Sequence, residues 1–143
     1  FISAHFSIFS SVSECIASIG HSGSHTPQST SHVPLSPAVR AGDFVFVSGQ
    51  VPVGEDGSIV PGGIGPETHQ VLANVAQVLA LAGCTLADVI KTTVWLRDRG
   101  DFAAFNKAYG KHFPSEPPAR STAESRLMID IAVEIEAIAY KPL

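Results

Sequence analysis

With 143 residues, 45% of them apolar and only 15% charged, the chain is long enough for one domain with a sizeable core and too short for two. Its net charge of −4 comes without any run of Lys or Arg, which argues against a nucleic-acid partner, since that footprint needs clustered positive charge. The two cysteines, Cys15 and Cys84, form neither a CxxC pair nor a disulfide framework, so a reducing compartment is the simpler setting. No apolar run reaches the length of a bilayer span.

Residues 1–32 differ from the rest. They are rich in Ser and His, contain one acid, Glu14, and are followed by no Lys or Arg until Arg40. A transit peptide would be Arg-rich and a secretory signal would open on positive charge. The stretch therefore reads as a poorly ordered extension or a remnant of targeting sequence, and the opening Phe1 as a processed or missing start. His5, His21, His25 and His32 have no regular ligand spacing, so no metal site is expected there. The domain proper is expected over residues 33–143.

There the pattern is clear. Residues 33–40 and Phe44-Val45-Phe46-Val47-Ser48 read as partner strands about an Ala41-Gly42-Asp43 turn. Gly54-Glu55-Asp56-Gly57 reads as a hairpin turn, and Pro66 suits the first position of a helix. Val71, Leu72, Val75, Val78 and Leu79 recur at helical spacing, and Gly83 is a helix stop. Residues 89–97 form a strand with Ile90, Thr92, Val94 and Leu96 on one face. Asp101 is placed to cap a second helix carrying Phe102, Phe105 and Tyr109, ending near Phe113-Pro114. Two strands follow, one through Arg120 and one through Glu134. The order predicts an α+β layer, two helices on one face of a mixed sheet. The other face then needs a partner, and a mean hydropathy of +0.23, high for so small a chain, points to a homo-oligomer.

Residues 117–140 carry the chemistry. Pro117-Pro118 forces an extended entry to Arg120, whose guanidinium can clamp a carboxylate in two places. Glu134 and Glu136 share one face of their strand while Val133, Ile135 and Ala137 take the other. A carboxylate near the arginine can hold or deprotonate a water. The combination suits a small, anionic, hydrolysable molecule. A structural Arg–Glu ion pair at a sheet edge is the alternative that the residues alone leave open.

AGDFVFVSGQVP, LALAGCTLADVIKTTVWLRD, DFAAFNKAYGKHFP, PPARS and VEIEAIA together resemble the RidA/YjgF family, also known as L-PSP endoribonucleases. The resemblance covers roughly residues 34–140, in the family's order and near its spacing. It implies a chorismate-mutase-like α+β fold, assembled as a homotrimer with sites in clefts between subunits. It also implies cofactor-free hydrolysis of reactive 2-imino or enamine acids to 2-oxo acids and ammonia. Carried over by motif, Arg120 binds the substrate carboxylate and Glu134 positions the attacking water. Asn106, Thr122, and Ser48 and Gly49 in the pocket wall complete the implied site, with no metal. Taken alone, Asn106 is a polar residue on a helix surface, and Ser48 one that bonds its own turn.

Three departures stand out. Leu35 occupies the place of a tyrosine common in deaminating members, so a pocket hydroxyl is lost. Thr122 stands where Cys is frequent. The run RLMIDIAVEIEAIAY lacks the usual Leu-Pro and is one residue shorter, so Glu134 is chosen over Glu136 by motif, not parity. A carboxylate-binding trimer without turnover, and a hydrolase of another C=N or enamine substrate, are the competing functions. Ribonuclease or translation-inhibitor activity fits the acidic charge poorly. The setting is cytoplasmic, or organellar if the extension is a targeting remnant. Trp95 is read as a sheet-face or subunit-contact residue, Cys84 as a small buried one, and His112 as favouring a helix C-terminus.

Overall fold

The computed structural model describes residues 6–8 and 35–143; the extension's four histidines, Cys15, Val33 and Pro34 lie outside the described residues. The short strand β1 (Phe6–Ile8) pairs antiparallel with β2 (Ala38–Ala41), which pairs with β3 (Phe44–Gln50). Helix α1 (Ile64–Leu81) leads to β4 (Val89–Leu96), helix α2 (Phe102–Gly110), β5 (Ala119–Glu124) and β6 (Val133–Tyr140). The sheet runs β1-β2-β3-β6-β4-β5, antiparallel throughout except for the parallel β4–β5 pair. That pair is joined by the crossover through α2, which a parallel connection requires. Mixed sheet and two helices match the expected α+β architecture.

The core lies between the helices and one sheet face. Val45 and Val47 of β3, Thr92, Val94 and Leu96 of β4, and Val133, Ile135 and Ala137 of β6 are all buried. They meet Val71, Leu72, Val75 and Leu79 of α1 and Phe105 of α2, each at most 1% exposed. The period-two and helical patterns thus converge on one layer. The opposite sheet face has no covering layer among the described residues. Phe44, Phe46 and Tyr140 are 41%, 45% and 43% exposed there, with Trp95 and Ile138 half-buried.

Gly83 ends α1 as its spacing predicted. It takes φ +70°, its N–H donates to the Ala80 carbonyl, and the Cys84 N–H donates to Leu79, the two bonds of a Schellman cap. Cys84 is buried directly behind it. The Gly54–Gly57 turn is closed by the Gly54 N–H on the Ser58 carbonyl at 2.9 Å.

Other expectations shift. Ile90 is 46% exposed instead of sharing the face of Thr92, because an irregularity between Val89 and Lys91 resets the alternation. Pro66 is the third helical residue, still within the turn whose N–H groups have no helical acceptor. Asp101 has helical dihedrals and caps nothing; Asp98 does the capping, accepting from the Gly100 N–H ahead of a 3-10 turn that runs into α2. That helix ends at Gly110, before Phe113. The strand expected over residues 33–40 is confined to Ala38–Ala41.

His112 follows the C-terminus of α2, as expected, its N–H donating to the Tyr109 carbonyl at 3.0 Å, and it also bridges the two helices. Its Nε2 lies 2.8 Å from His69 Nδ1, tying α1 to the end of α2. Such a bond needs one protonated and one bare nitrogen, so it fails when both rings are cationic. Burial, then the neighbouring His69, hold His112 below the ordinary histidine value. Neutral His112 is favoured in the folded state, so its contribution is complete above the unfolded value and is lost as pH falls through the folded one. The melting temperature is therefore expected to drop as pH falls through the ordinary histidine value and below it. His112→Gln should flatten that drop, which thermal melts across this range will show.

Candidate functional site

Two groups of site residues form, one on each face of the sheet. Arg120 lies on β5, the free edge strand, in register with Thr92. Thr92 is fully buried and its Oγ1 lies 2.7 Å from the Tyr109 hydroxyl of α2, so this face of the β4–β5 pair looks toward the helices. The Arg120 guanidinium stands over the rings of Phe102, Phe105 and Tyr109 at 5.7, 5.2 and 4.8 Å from their centroids. Its Nη2 donates to Asn106 Oδ1 at 2.8 Å. The four α2 residues fall at i, i+3, i+4 and i+7, one helix face, and so deliver an aromatic floor and a polar stop together. Among the described residues Arg120 has no carboxylate partner, so the edge ion pair left open by the sequence does not form within this chain.

Thr122 is two residues on from Arg120 and shares its face. Its Oγ1 is buried without a hydrogen-bond partner among the described residues. It lines a cavity of about 480 Å³ together with Leu96, Phe102 and Glu124. Phe102 belongs to both the cavity and the arginine's floor, so the cavity adjoins that floor. An orphaned hydroxyl at such a place can serve a ligand's donor or acceptor.

The second group gathers on β3 and β6. Between Val47 and Gln50 the register shifts, leaving Ser48 and Gly49 as a bulge opposite Glu136. The Ser48 N–H donates to the Pro37 carbonyl at 2.9 Å and its Oγ to the Ser36 carbonyl at 2.5 Å. Those bonds fix the segment carrying Leu35, itself 61% exposed. Gly49 lies against Glu134: a Cβ placed on it would come within 2.2 Å of Glu134 Oε1. Between the core-facing Val133 and Ile135, Glu134 points to the open sheet face. Its backbone is anchored from the helix side, where the buried Glu67 of α1 accepts the Ala132 N–H at 2.6 Å. Partial burial, then the charge of Glu136, raise the Glu134 carboxyl from its ordinary value.

Arg120, Asn106 and Thr122 are thus brought together, as are Ser48, Gly49 and Glu134. Within one chain the two groups face opposite ways. Sequence reasoning missed the aromatic floor, although the spacing of Phe102, Phe105 and Tyr109 around Asn106 was the available signal. It also missed the contact of Gly49 with Glu134, which only the bulge creates.

Comparison with known proteins decides the family. The model of the endoribonuclease L-PSP family matches residues 25–141, most of the chain. The chain belongs to the RidA/YjgF family. A RutC family protein of Pyrococcus horikoshii is 49% identical over 110 residues, which cover 76% of this chain and 87% of that one. Reactive Intermediate Deaminase A, chloroplastic, of Arabidopsis thaliana is 39% identical over 108 residues, 74% of this chain and 58% of that one. Among solved structures, TdcF of E. coli with bound serine superposes with a TM-score of 0.72 at 37% identity, covering 76% of this chain and 89% of that one. In this RidA/YjgF chain the site groups therefore sit on the family fold.

Proposed function

We propose that this chain hydrolyses reactive 2-imino and enamine acids to 2-oxo acids and ammonia without a cofactor. We further propose that it works as a homotrimer in which Arg120 of one subunit faces Glu134 of the next. The observation that carries this reading is the Arg120 guanidinium: set on an aromatic floor, steadied by Asn106, and without a carboxylate partner among the described residues. A charge so placed suits the bidentate capture of a 2-imino acid's carboxylate. The open sheet face, with its exposed Phe44, Phe46 and Tyr140, supplies apolar surface for a neighbouring subunit. The reading is in keeping with the deaminase name of the Arabidopsis relative.

The chemistry needs little more than orientation. With its carboxylate on Arg120, the iminium carbon C2 is already electrophilic. Glu134, ionised, takes a proton from a water as the water oxygen adds to C2, giving a carbinolamine. The protonated carboxyl returns that proton to the nitrogen, the C–N bond breaks and ammonia leaves. The remaining hydroxyl gives its proton to the Glu134 carboxylate as the carbonyl forms, and ammonia takes that proton away as ammonium. A carboxyl raised from its ordinary value holds a proton more readily than an unperturbed one at the same pH, which favours its return to the nitrogen. The rate is accordingly expected to fall as acid protonates Glu134, at a pH above the usual glutamate value.

Ammonia release from 2-iminobutanoate, generated in situ by a threonine dehydratase, tests the reaction. Acceleration above spontaneous hydrolysis is the expected result. No acceleration, with 2-oxobutanoate still bound by wild type and not by Arg120→Ala, would favour carboxylate binding without turnover. The exposed Leu35, which brings no hydroxyl, is what keeps that second reading in play.

Gly49→Ala gives a sharper test of the Glu134 side. The added methyl would occupy the carboxylate's place, and the flexible end of Glu134 must swing away. Little stability is lost because a side-chain tip yields, but the general base is displaced. Turnover should fall roughly 100-fold with the melting temperature held within a few degrees; steady-state rates beside a thermal melt decide it.

A further inference from the structure

Glu134 has no hydrogen bond and no ion pair among the described residues, so packing alone must set the direction of its carboxylate. β6 lies between β3 and β4, so Glu134 has a neighbour on either side. Toward β3 the missing Cβ of Gly49 leaves the space the carboxylate enters, with Oε1 2.2 Å and the carboxyl carbon 3.1 Å from where that Cβ would be. Toward β4 the register partner is Trp95, the single tryptophan of the chain. Residues directly paired across strands hold their Cβ atoms about 5 Å apart, within reach of an indole. The glutamate thus has the largest side chain as its register partner on one strand and a glycine beside it on the other.

We infer that Trp95 is a positioning residue for Glu134, its indole closing the β4 side so that the carboxylate is held over the Gly49 bulge. This rests on the proposed role of Glu134. The remaining polar and charged groups on this face do not supply that direction. Lys91 of β4 spends its Nζ on Ser121 Oγ at 2.9 Å and on the Thr92 carbonyl at 3.0 Å. Thr93 lies opposite Glu136 in register, and Glu136 repels a second carboxylate. From β3, Ser48 already uses its hydroxyl on Ser36. An indole wall also keeps water from one side of the carboxylate, in line with the direction in which its proton affinity is moved.

The test pairs Trp95→Val, which removes the wall but keeps a strand former, with Trp95→Phe, which keeps an aromatic wall. Two readouts are taken on the intact chain: the pH dependence of kcat and KM for 2-iminobutanoate, and the NMR titration of the Glu134 carboxyl. Trp95→Val is expected to lower kcat roughly tenfold to 100-fold with KM changed less than about twofold, and to move the Glu134 midpoint down. Trp95→Phe should restore most of both. An unchanged midpoint in Trp95→Val overturns the inference, as does a Phe variant as impaired as Val. The titration needs no turnover, so it still decides the role of Trp95 if wild type fails to accelerate hydrolysis. Such a failure would count against the proposed reaction alone. Should Trp95→Val fail to fold, Trp95→Leu takes its place: a midpoint moved down supports the wall, and an unchanged midpoint refutes it.

Discussion

Glu134→Gln is expected to lower kcat for imine hydrolysis by roughly 10²–10⁴-fold, the range a general acid–base group supplies, without lowering the melting temperature. Glutamine keeps the size and the contact over Gly49 but cannot accept a proton from water. The stability half follows from the direction of the carboxyl's shift. Burial and Glu136 make the ionised form less favourable in the folded chain than in the unfolded one. A raised carboxyl contributes fully below its unfolded value and less as pH rises through the folded one. At neutral pH the ionised Glu134 is therefore a burden on the fold, and a neutral amide relieves it. Lost turnover together with a retained or higher melting temperature would mark Glu134 as kept for chemistry. Lost turnover with a lower melting temperature would mark it as structural. Parallel melts and rates separate these.

Arg120→Ala should abolish recognition of the substrate carboxylate. Two charge-assisted hydrogen bonds at about 1.5–3 kcal/mol each correspond to roughly 10²–10⁴-fold in kcat/KM. Arg120→Lys should recover only a small part, because an ammonium cannot present the planar fork or lie as well on the floor of Phe102, Phe105 and Tyr109. Folding should change little, since Arg120 is on an edge strand and its one side-chain bond among the described residues is to Asn106. Inhibition by 2-oxobutanoate provides the check: weakened in step with kcat/KM it confirms a carboxylate site, whereas unchanged inhibition would move that site elsewhere.

The sequence carries some of this well and the rest poorly, for physical reasons. Alternation within β6 correctly separates Glu134 and Glu136 from Val133, Ile135 and Ala137, because side-chain parity is a local property of an extended chain. Parity on β4 fails at Ile90, where an irregular residue pair resets it, and nothing in the residues 89–91 announces this. Capping at Asp98 instead of Asp101 differs by one 3-10 turn, a choice between two aspartates three residues apart. The family motifs pick out Arg120, Glu134, Asn106, Ser48 and Gly49, but not how they face. Whether Arg120 and Glu134 share a sheet face depends on how β5 and β6 each register against β4. That register is set by packing against α1 and α2, not by either strand alone.

Their opposite orientation is what makes a site shared between subunits the central claim, and subunit mixing tests it most directly. Arg120→Ala and Glu134→Gln chains, each inactive alone, are unfolded, combined in equal amounts and reassembled. Ammonia release from 2-iminobutanoate is then compared with reassembled wild type. If Arg120 of one subunit works with Glu134 of another, about a quarter of the sites in a random mixture receive both intact residues, and about that fraction of activity returns. A mixture as inactive as its two components, beside active wild type, would contradict the shared site.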